Sequence, residues 1–225
     1  MNTLFEAIAI SVLMAVSVAA ALWYFRMRRR MIKFMKDFTE ELERELRPRD
    51  KEYTLLGYLV GYKAVYELGE GRRAYVLLTT TPRYSFFYYP VAKALRHDDR
   101  VTIMLELTGR NVLRDLHAVK RGESRLMNTL AKDLGERLER LSKTTVSTAR
   151  GIYEVFYEEP KDVGLLNRIV DTTSKPIYKL SAYKELNAVE VVSKPELGSV
   201  RELLESLRFL IRNISRSVGP HHEKV

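Results

Sequence analysis

Residues 7–25 read AIAISVLMAVSVAAALWYF, an unbroken run of uncharged and mainly apolar side chains. At about 1.5 Å per residue, a helix of this length just crosses the roughly 30 Å hydrocarbon core of a bilayer. Trp23 and Tyr24 close the run, where aromatic side chains favour the membrane interface. The run therefore predicts a transmembrane anchor within residues 1–25.

Six cationic side chains follow this run directly: Arg26, Arg28, Arg29, Arg30, Lys33 and Lys36. Cationic side chains close to a membrane span are retained on the cytoplasmic side, whereas the short N-terminal flank carries only Glu6. We therefore expect a single-pass protein of the cell membrane, with its N-terminus outside and its C-terminal domain in the cytoplasm. The basic cluster would also contact anionic lipid headgroups of the bilayer.

Two other interpretations of the N-terminus fit the sequence less well. A cleaved signal peptide could end near Ala19–Ala21, but its positive charge should precede the apolar run and here follows it. The opening MNTLFEAIAISV is similar to type IV pilins, which carry a glutamate near the start of an apolar helix. No processing leader precedes it, and the arginine cluster would resist export of the domain.

Composition limits the chemistry available to the chain. It contains no Cys, which excludes disulfides, thiolate metal sites and thiol nucleophiles. The absence of Gln and a charged fraction of 30% are typical of proteins from hot environments. The net charge of +9 and a pI near 9.6 favour polyanionic partners in the cytoplasm, such as RNA, ribosomes and membrane surfaces.

Residues 26–50 predict a basic juxtamembrane helix that prolongs the anchor. An apolar stripe recurs at three- and four-residue spacing, formed by Met31, Phe34, Met35, Phe38 and Leu42. Pro48 should end this helix. We expect the stripe to pack on the domain as a stalk; the alternative is that it lies along the lipid surface.

The sequence predicts one cytoplasmic α+β domain over residues 51–217, followed by a flexible tail at 218–225. Predicted strands cover 53–68, 73–81, 99–107, 112–120, 152–158 and 188–193, the first two joined as a hairpin by Gly69–Gly71. Predicted helices cover 86–96 with Ser85 as N-cap, 123–143, 165–171 and 195–215, the last burying Leu197 among other residues. The sheet is expected to be mostly antiparallel, with the helices packed on it.

No motif of a known catalytic or nucleotide-binding site occurs in the sequence. The histidine pair at 221–222 is typical of a solvated tail, and His117 beside Asp115 is interpreted as a surface side chain. The adjacent Asp98 and Asp99 resemble a carboxylate pair, but turn capping explains them better. The prediction is a protein without enzymatic activity, cofactor, bound metal or small-molecule substrate.

Two surface patterns favour interaction with a partner. Five aromatic side chains cluster at Tyr84, Phe86, Phe87, Tyr88 and Tyr89, and they could stack RNA bases or be divided between core and interface. Four arginines share one face of the last helix: Arg201, Arg208, Arg212 and Arg216. This face is a candidate ribosome or partner surface, although Glu202 and Glu205 could neutralise part of it.

The stretches YVLLTTTPRYSFFYYPVAKALRHDDRVTIMLEL (75–107) and HAVKRGESRLMNTLAKDL (117–134) resemble the cytosolic domain of the calumin family. This family comprises coiled-coil-domain-containing membrane proteins of the endoplasmic reticulum. The similarity rests on Asp99, Val101 and Ile103 in one strand and on Ala118 and Val119 before a leucine-rich helix. It extends over most of residues 53–215 as element order with few identities, so the chain would be a distant, archaeal-type relative.

The calumin resemblance implies a factor that contacts the ribosome and the Sec translocon while multipass membrane proteins insert and fold. The chain departs from the family in lacking an acidic lumenal region before the span. The family's long basic coiled coil is here reduced to residues 217–225, which leaves the globular surface for ribosome contact. The alternative prediction is a membrane-anchored subunit of an envelope or secretion assembly with no nucleic-acid partner.

Overall fold

The chain has an α+β architecture in which one long apolar helix leads into an antiparallel sheet covered by helices. The computed structural model describes residues 2–57, 59–94, 98–108 and 113–214. The helices are α1 (Asn2–Leu46), α2 (Tyr88–Ala94), α3 (Ser124–Leu134), α4 (Arg137–Arg140), α5 (Val163–Thr172) and α6 (Val200–Ile214). The strands are β1 (Asp50–Leu55), β2 (Gly61–Glu67), β3 (Arg73–Thr79), β4 (Arg100–Glu106), β5 (Leu116–Lys120), β6 (Ser142–Thr148), β7 (Gly151–Tyr157), β8 (Ile177–Tyr183) and β9 (Ala188–Ser193). The predicted α+β class, with a mostly antiparallel sheet and packed helices, is confirmed.

Within the described residues, nine strands form one sheet in the order β1-β2-β3-β4-β9-β8-β5-β7-β6, and each neighbouring pair is antiparallel. The last strand in sequence, β9, therefore lies between two halves of the sheet. Val191 is opposite Ile103 on one side and Leu180 on the other. All six residues of β9 are buried, as expected for a central strand covered on both faces.

The two faces of the sheet are covered differently, because alternate side chains of each strand point to opposite faces. Helices α1, α5 and α6 cover the first face and share the main core with residues such as Ile103 and Val191. A smaller core lies on the second face, where α3 packs on Val119, Phe156 and Tyr183. Charged and aromatic side chains of β2 and β3 are exposed on this second face.

Helix α1 confirms the predicted stalk. It runs without interruption to Leu46 and ends before Pro48. Phe38 and Leu42 are fully buried in the main core, and Phe34 and Met35 pack against it. The apolar stripe therefore belongs to the sheet domain, as expected, rather than to a free lipid-facing surface.

The prediction of one strand over residues 53–68 is wrong, because the segment reverses and forms β1 and β2. Gly57 and Gly61 have φ values of 135° and 145°, which side-chain-bearing residues rarely adopt. A Cβ atom on Gly61 would lie 1.9 Å from the carbonyl oxygen of Leu78, so this position requires glycine. The predicted hairpin around Gly69–Gly71 is confirmed, with Glu67 opposite Arg73.

Helix α2 begins at Tyr88 rather than at Phe86, so Ser85 does not lie at its N-cap position. Two longer predicted helices also have different bounds in the structure. The helix expected over 123–143 ends at Leu134 because Gly135 adopts a φ of 53° and its N–H bonds the carbonyl of Ala131. Its last residues belong instead to strand β6. Helix α6 begins at Val200, so the expected burial of Leu197 is wrong, and this side chain is exposed in the preceding turn. Strands β6 and β8 were not predicted.

Candidate functional site

The N-terminal half of α1 is the most apolar exposed element among the described residues. This helix is long and apolar enough to cross a membrane, and none of its most apolar stretch is buried against the domain. The predicted basic cluster follows on the same helix. Arg26, Arg29, Arg30, Lys33 and Lys36 are exposed and Arg28 is half-buried. The structure thus places an apolar segment, a cationic segment and the domain in succession along one helix.

The aromatic tract of residues 84–89 packs against α1 at the end of the apolar run. The indole Nε1–H of Trp23 donates to the carbonyl of Arg83 at 2.9 Å. The Trp23 ring lies 6.0 Å from that of Phe86, and the Tyr24 ring lies 6.1 Å from that of Tyr84. The tract is therefore held beside the residues that the sequence assigns to the membrane interface.

Asp99 fixes the start of the aromatic tract to the sheet. Its Oδ1 accepts the backbone N–H of Thr81 at 2.8 Å, and its Oδ2 lies 2.5 Å from Arg83 Nη2. This buried carboxylate binds the segment that leaves β3, which is a contact between distant parts of the sequence rather than the local turn capping expected of Asp99. The Arg83 guanidinium is therefore already paired with Asp99 within the protein.

The predicted cationic face of α6 is only partly neutralised. Arg201 Nε lies 2.9 Å from Glu205 Oε1, an exposed pair one helical turn apart. Arg208 and Arg212 are exposed and form no ion pair with an acidic side chain of the described residues. The fourth predicted residue, Arg216, lies outside the described residues, as do His97, His221, His222 and the tail.

Arg208 and Arg212 line two neighbouring grooves. One groove, of about 840 Å³, separates α5 from α6 and also contains Asp171 and Phe209. The other, of about 470 Å³, lies beside Arg72 and is formed partly by Thr108. The two arginines can therefore approach a ligand or partner from two sides of α6.

The cationic pair and the aromatic tract lie at opposite ends of the sheet. Strand β3 begins at Arg73, next to the turn that lines the smaller groove, and after Thr79 the chain enters the tract. A strand of this length spans about 20 Å. The domain therefore presents Arg208 and Arg212 away from the end that contacts Trp23 and Tyr24.

His117 is buried on the second face of the sheet, so its interpretation as a surface side chain is wrong. The imidazole is fully buried, 3.5 Å from Asp115 and with its ring 5.0 Å from that of Tyr183. Burial lowers the pKa of His117, because the protonated ring would lose its hydration. The sequence carries a signal for this position, since Val119 lies on the same face of β5 as His117 and a strand with apolar residues on both faces is typical of one covered on both sides.

A buried ion pair lies beside His117 and was not predicted. Lys179 Nζ is 2.7 Å from Glu190 Oε2 and also donates to the Tyr183 hydroxyl at 2.7 Å. The Tyr183 hydroxyl in turn donates to Glu190 at 2.8 Å. Burial raises the pKa of Tyr183, which keeps the hydroxyl protonated as a donor. Each polar group thus has a partner, and the cluster joins β8 to β9 under α3.

The buried imidazole should make stability depend on pH. The folded pKa of His117 is below its unfolded value near 6.5, so its contribution to stability is complete above that pH and is lost as pH falls below it. Between pH 7.5 and 5.5, wild type should lose roughly 1 kcal/mol more free energy of unfolding than His117→Gln. Chemical denaturation of both full-length proteins in detergent tests this difference. Equal losses in the two proteins would contradict a neutral buried imidazole.

Within the described residues, no group of three or more acidic or histidine side chains could hold a metal ion. No protein-family model matches the chain, and a search of curated proteins finds no match. The resemblance to the calumin family therefore stays a prediction. The long apolar helix α1, the aromatic tract and the pair Arg208 and Arg212 are the features from which a function can be argued.

Proposed function

We propose that the protein is a non-enzymatic, membrane-anchored factor whose cytoplasmic domain associates with the ribosome and the Sec translocon. In this role it assists the insertion or folding of membrane proteins. Helix α1 anchors it, and Arg26, Arg28, Arg29, Arg30, Lys33 and Lys36 keep the domain on the cytoplasmic side. The proposal also rests on the resemblance described above.

The observation that carries the proposal is that the aromatic tract and the pair Arg208 and Arg212 lie at opposite ends of the domain. The aromatic end of the sheet is held at the end of the apolar run, and the opposite end carries the free cations of α6. With α1 across a bilayer, Arg208 and Arg212 would face the cytoplasm at a distance from the lipid surface. Such a position suits contact with the phosphate backbone of ribosomal RNA.

Ribosome binding should be measurable and sensitive to salt. Full-length protein in nanodiscs is expected to co-sediment with ribosomes at low salt and to dissociate steeply as salt rises, because phosphate contacts release counterions. The double variant Arg208→Gln/Arg212→Gln should bind more weakly and lower the slope of log affinity against log salt by about 2. Sedimentation over a salt series measures both quantities.

Arg201→Gln is the matched control, because Arg201 lies on the same helix but is paired with Glu205. It should change the affinity and the slope much less than the double variant. If wild type fails to co-sediment even at low salt, ribosome association is wrong. If Arg201→Gln weakens binding as much as the double variant, the assignment of Arg208 and Arg212 is wrong.

A second candidate is a subunit of an envelope or secretion assembly that contacts only proteins. The groove between α5 and α6 favours it, since Asp171, Glu202 and Glu205 balance its arginines and Ile169 and Phe209 add apolar surface. Such a lining suits a polypeptide better than a nucleic acid. Crosslinking in native membranes separates the two candidates by recovering either ribosomal and Sec components or envelope proteins.

A further inference from the structure

The aromatic tract leaves several large apolar side chains exposed around the short helix α2. Phe87 is 70% exposed, Val91 50%, Tyr88 46% and Phe86 40%. They are neighbours in sequence and form one patch rather than isolated positions. Contiguous apolar patches of this kind mark contact sites for a partner or a membrane.

The patch is held in a fixed position. Asp99 binds Thr81 and Arg83, which directly precede the patch, and Trp23 of α1 donates to the carbonyl of Arg83. Ala92 of α2 is fully buried, which fixes the other end of the tract on the domain. The side chains are therefore presented by a segment that is anchored on both sides.

The patch also continues the exposed apolar surface of α1. Trp23 and Tyr24 contact the tract directly, and Leu22 and Phe25 beside them are exposed. Phe86 contacts Trp23 and Phe87 contacts Phe86, with ring centroids 5.2 Å apart, so a bilayer that surrounds α1 up to Trp23 would also meet these two side chains. Phe, Tyr and Trp side chains at this depth match the chemistry of the lipid headgroup region.

We propose that residues 84–91 form a second membrane contact, inserted into the headgroup interface of the bilayer that α1 crosses. The inference rests on the membrane anchoring proposed above. The exposed Lys93 adds a cation that can pair with anionic headgroups. Because α1 is packed into the core, the domain is rigidly attached to the span, and one span alone does not fix its tilt relative to the bilayer. A second contact fixes this tilt and turns the α6 cations away from the lipid.

RNA stacking fits this patch less well than lipid. A base-stacking platform needs cations around its aromatic side chains to hold the phosphate backbone. Arg83 is bound to Asp99, and Phe86 and Tyr84 make edge-on contacts with rings of α1. The tract thus offers a mainly apolar surface on which Lys93 is the exposed cation among residues 84–94 that has no ion pair within the described residues.

Site-specific fluorescence quenching tests the proposal, because the chain contains no Cys and accepts single labels. The label is an environment-sensitive dye attached to Phe87→Cys in full-length protein. The protein is reconstituted in vesicles of phosphatidylcholine and phosphatidylglycerol that carry a nitroxide either at the headgroup or deep in the acyl chain. The headgroup nitroxide should reduce the emission of this label about twofold, and the deep nitroxide should reduce it less.

Two control positions separate this inference from the anchoring itself. Leu13→Cys lies in α1 and should be quenched by the deep nitroxide. Leu186→Cys is similarly exposed at the turn between β8 and β9, at the other end of the sheet, and should not be quenched. Quenching at 13 without quenching at 87 overturns the second contact and leaves the anchor intact. Absence of quenching at 13 overturns the anchor, and quenching at 186 equal to that at 87 overturns the proposed orientation.

Discussion

Replacing Lys179 with methionine should lower the free energy of unfolding by about 3–5 kcal/mol, because it leaves Glu190 buried without its counter-ion. Lys179 is 1% exposed and its Nζ lies 2.7 Å from Glu190 Oε2. Tyr183 can still donate to Glu190, but a hydroxyl does not neutralise a carboxylate. Equilibrium denaturation of the full-length protein in detergent measures the loss.

Lys143→Met is the matched control for this prediction. Lys143 Nζ also lies 2.7 Å from a carboxylate, that of Glu154, but the lysine side chain is more than half exposed. An exposed pair of this kind contributes about 1 kcal/mol or less. The double variant Lys179→Met/Glu190→Leu should recover most of the stability, since it removes both buried charges. A loss for Lys179→Met no larger than that of the control would contradict the assigned cost of the unpaired carboxylate.

Local periodicity explains why some parts of the fold could be predicted. The stripe from Met31 to Leu42 recurs at helical spacing, so the buried side of α1 follows from the sequence alone. Strand β4 alternates Val101, Ile103 and Leu105 with more polar residues, and its predicted bounds match closely. In both cases one side of an element is apolar and the other is not.

Other parts of the fold depend on contacts between segments that are distant in sequence. Strand β6 reads SKTTVST at the edge of the sheet, where few side chains are buried and apolar periodicity is weak. His117, Lys179 and Glu190 are polar residues at inward positions of three strands, and only the strand order brings them together. Burial along the whole of these strands follows from apolar residues on both faces, but the sequence does not mark the three as partners.

The candidate site shows the same division. The basic cluster and the arginine face are patterns within single helices, and the sequence predicts both. The sequence does not predict that Trp23 binds Arg83. It also does not predict that Glu205 pairs with Arg201 and with neither Arg208 nor Arg212, because both contacts depend on side-chain positions. The aromatic tract and the pair Arg208 and Arg212 lie apart because β3 runs from one to the other. A correct list of helices and strands does not give the direction of a strand in the sheet.

Glu41→Ala should destabilise the protein by roughly 3 kcal/mol, because it removes two charge-assisted hydrogen bonds that no local pattern predicts. Glu41 is buried on α1 and accepts the backbone N–H of Gly198 at 2.7 Å and that of Val200 at 3.0 Å. These donors lie at the start of α6, where N–H groups lack partners within the helix. The stalk thus caps the helix that carries Arg208 and Arg212.

Glu40→Ala is the adjacent control, since Glu40 is exposed and lies 3.6 Å from Lys36 in a surface pair. It should change the free energy of unfolding by less than about 0.5 kcal/mol. Denaturation of both variants in detergent compares them, and similar losses would show that Glu41 does not cap α6. If the cap is confirmed, α1 and α6 are joined directly. Under the proposed function, the orientation of α1 in the bilayer would then determine where Arg208 and Arg212 meet the ribosome.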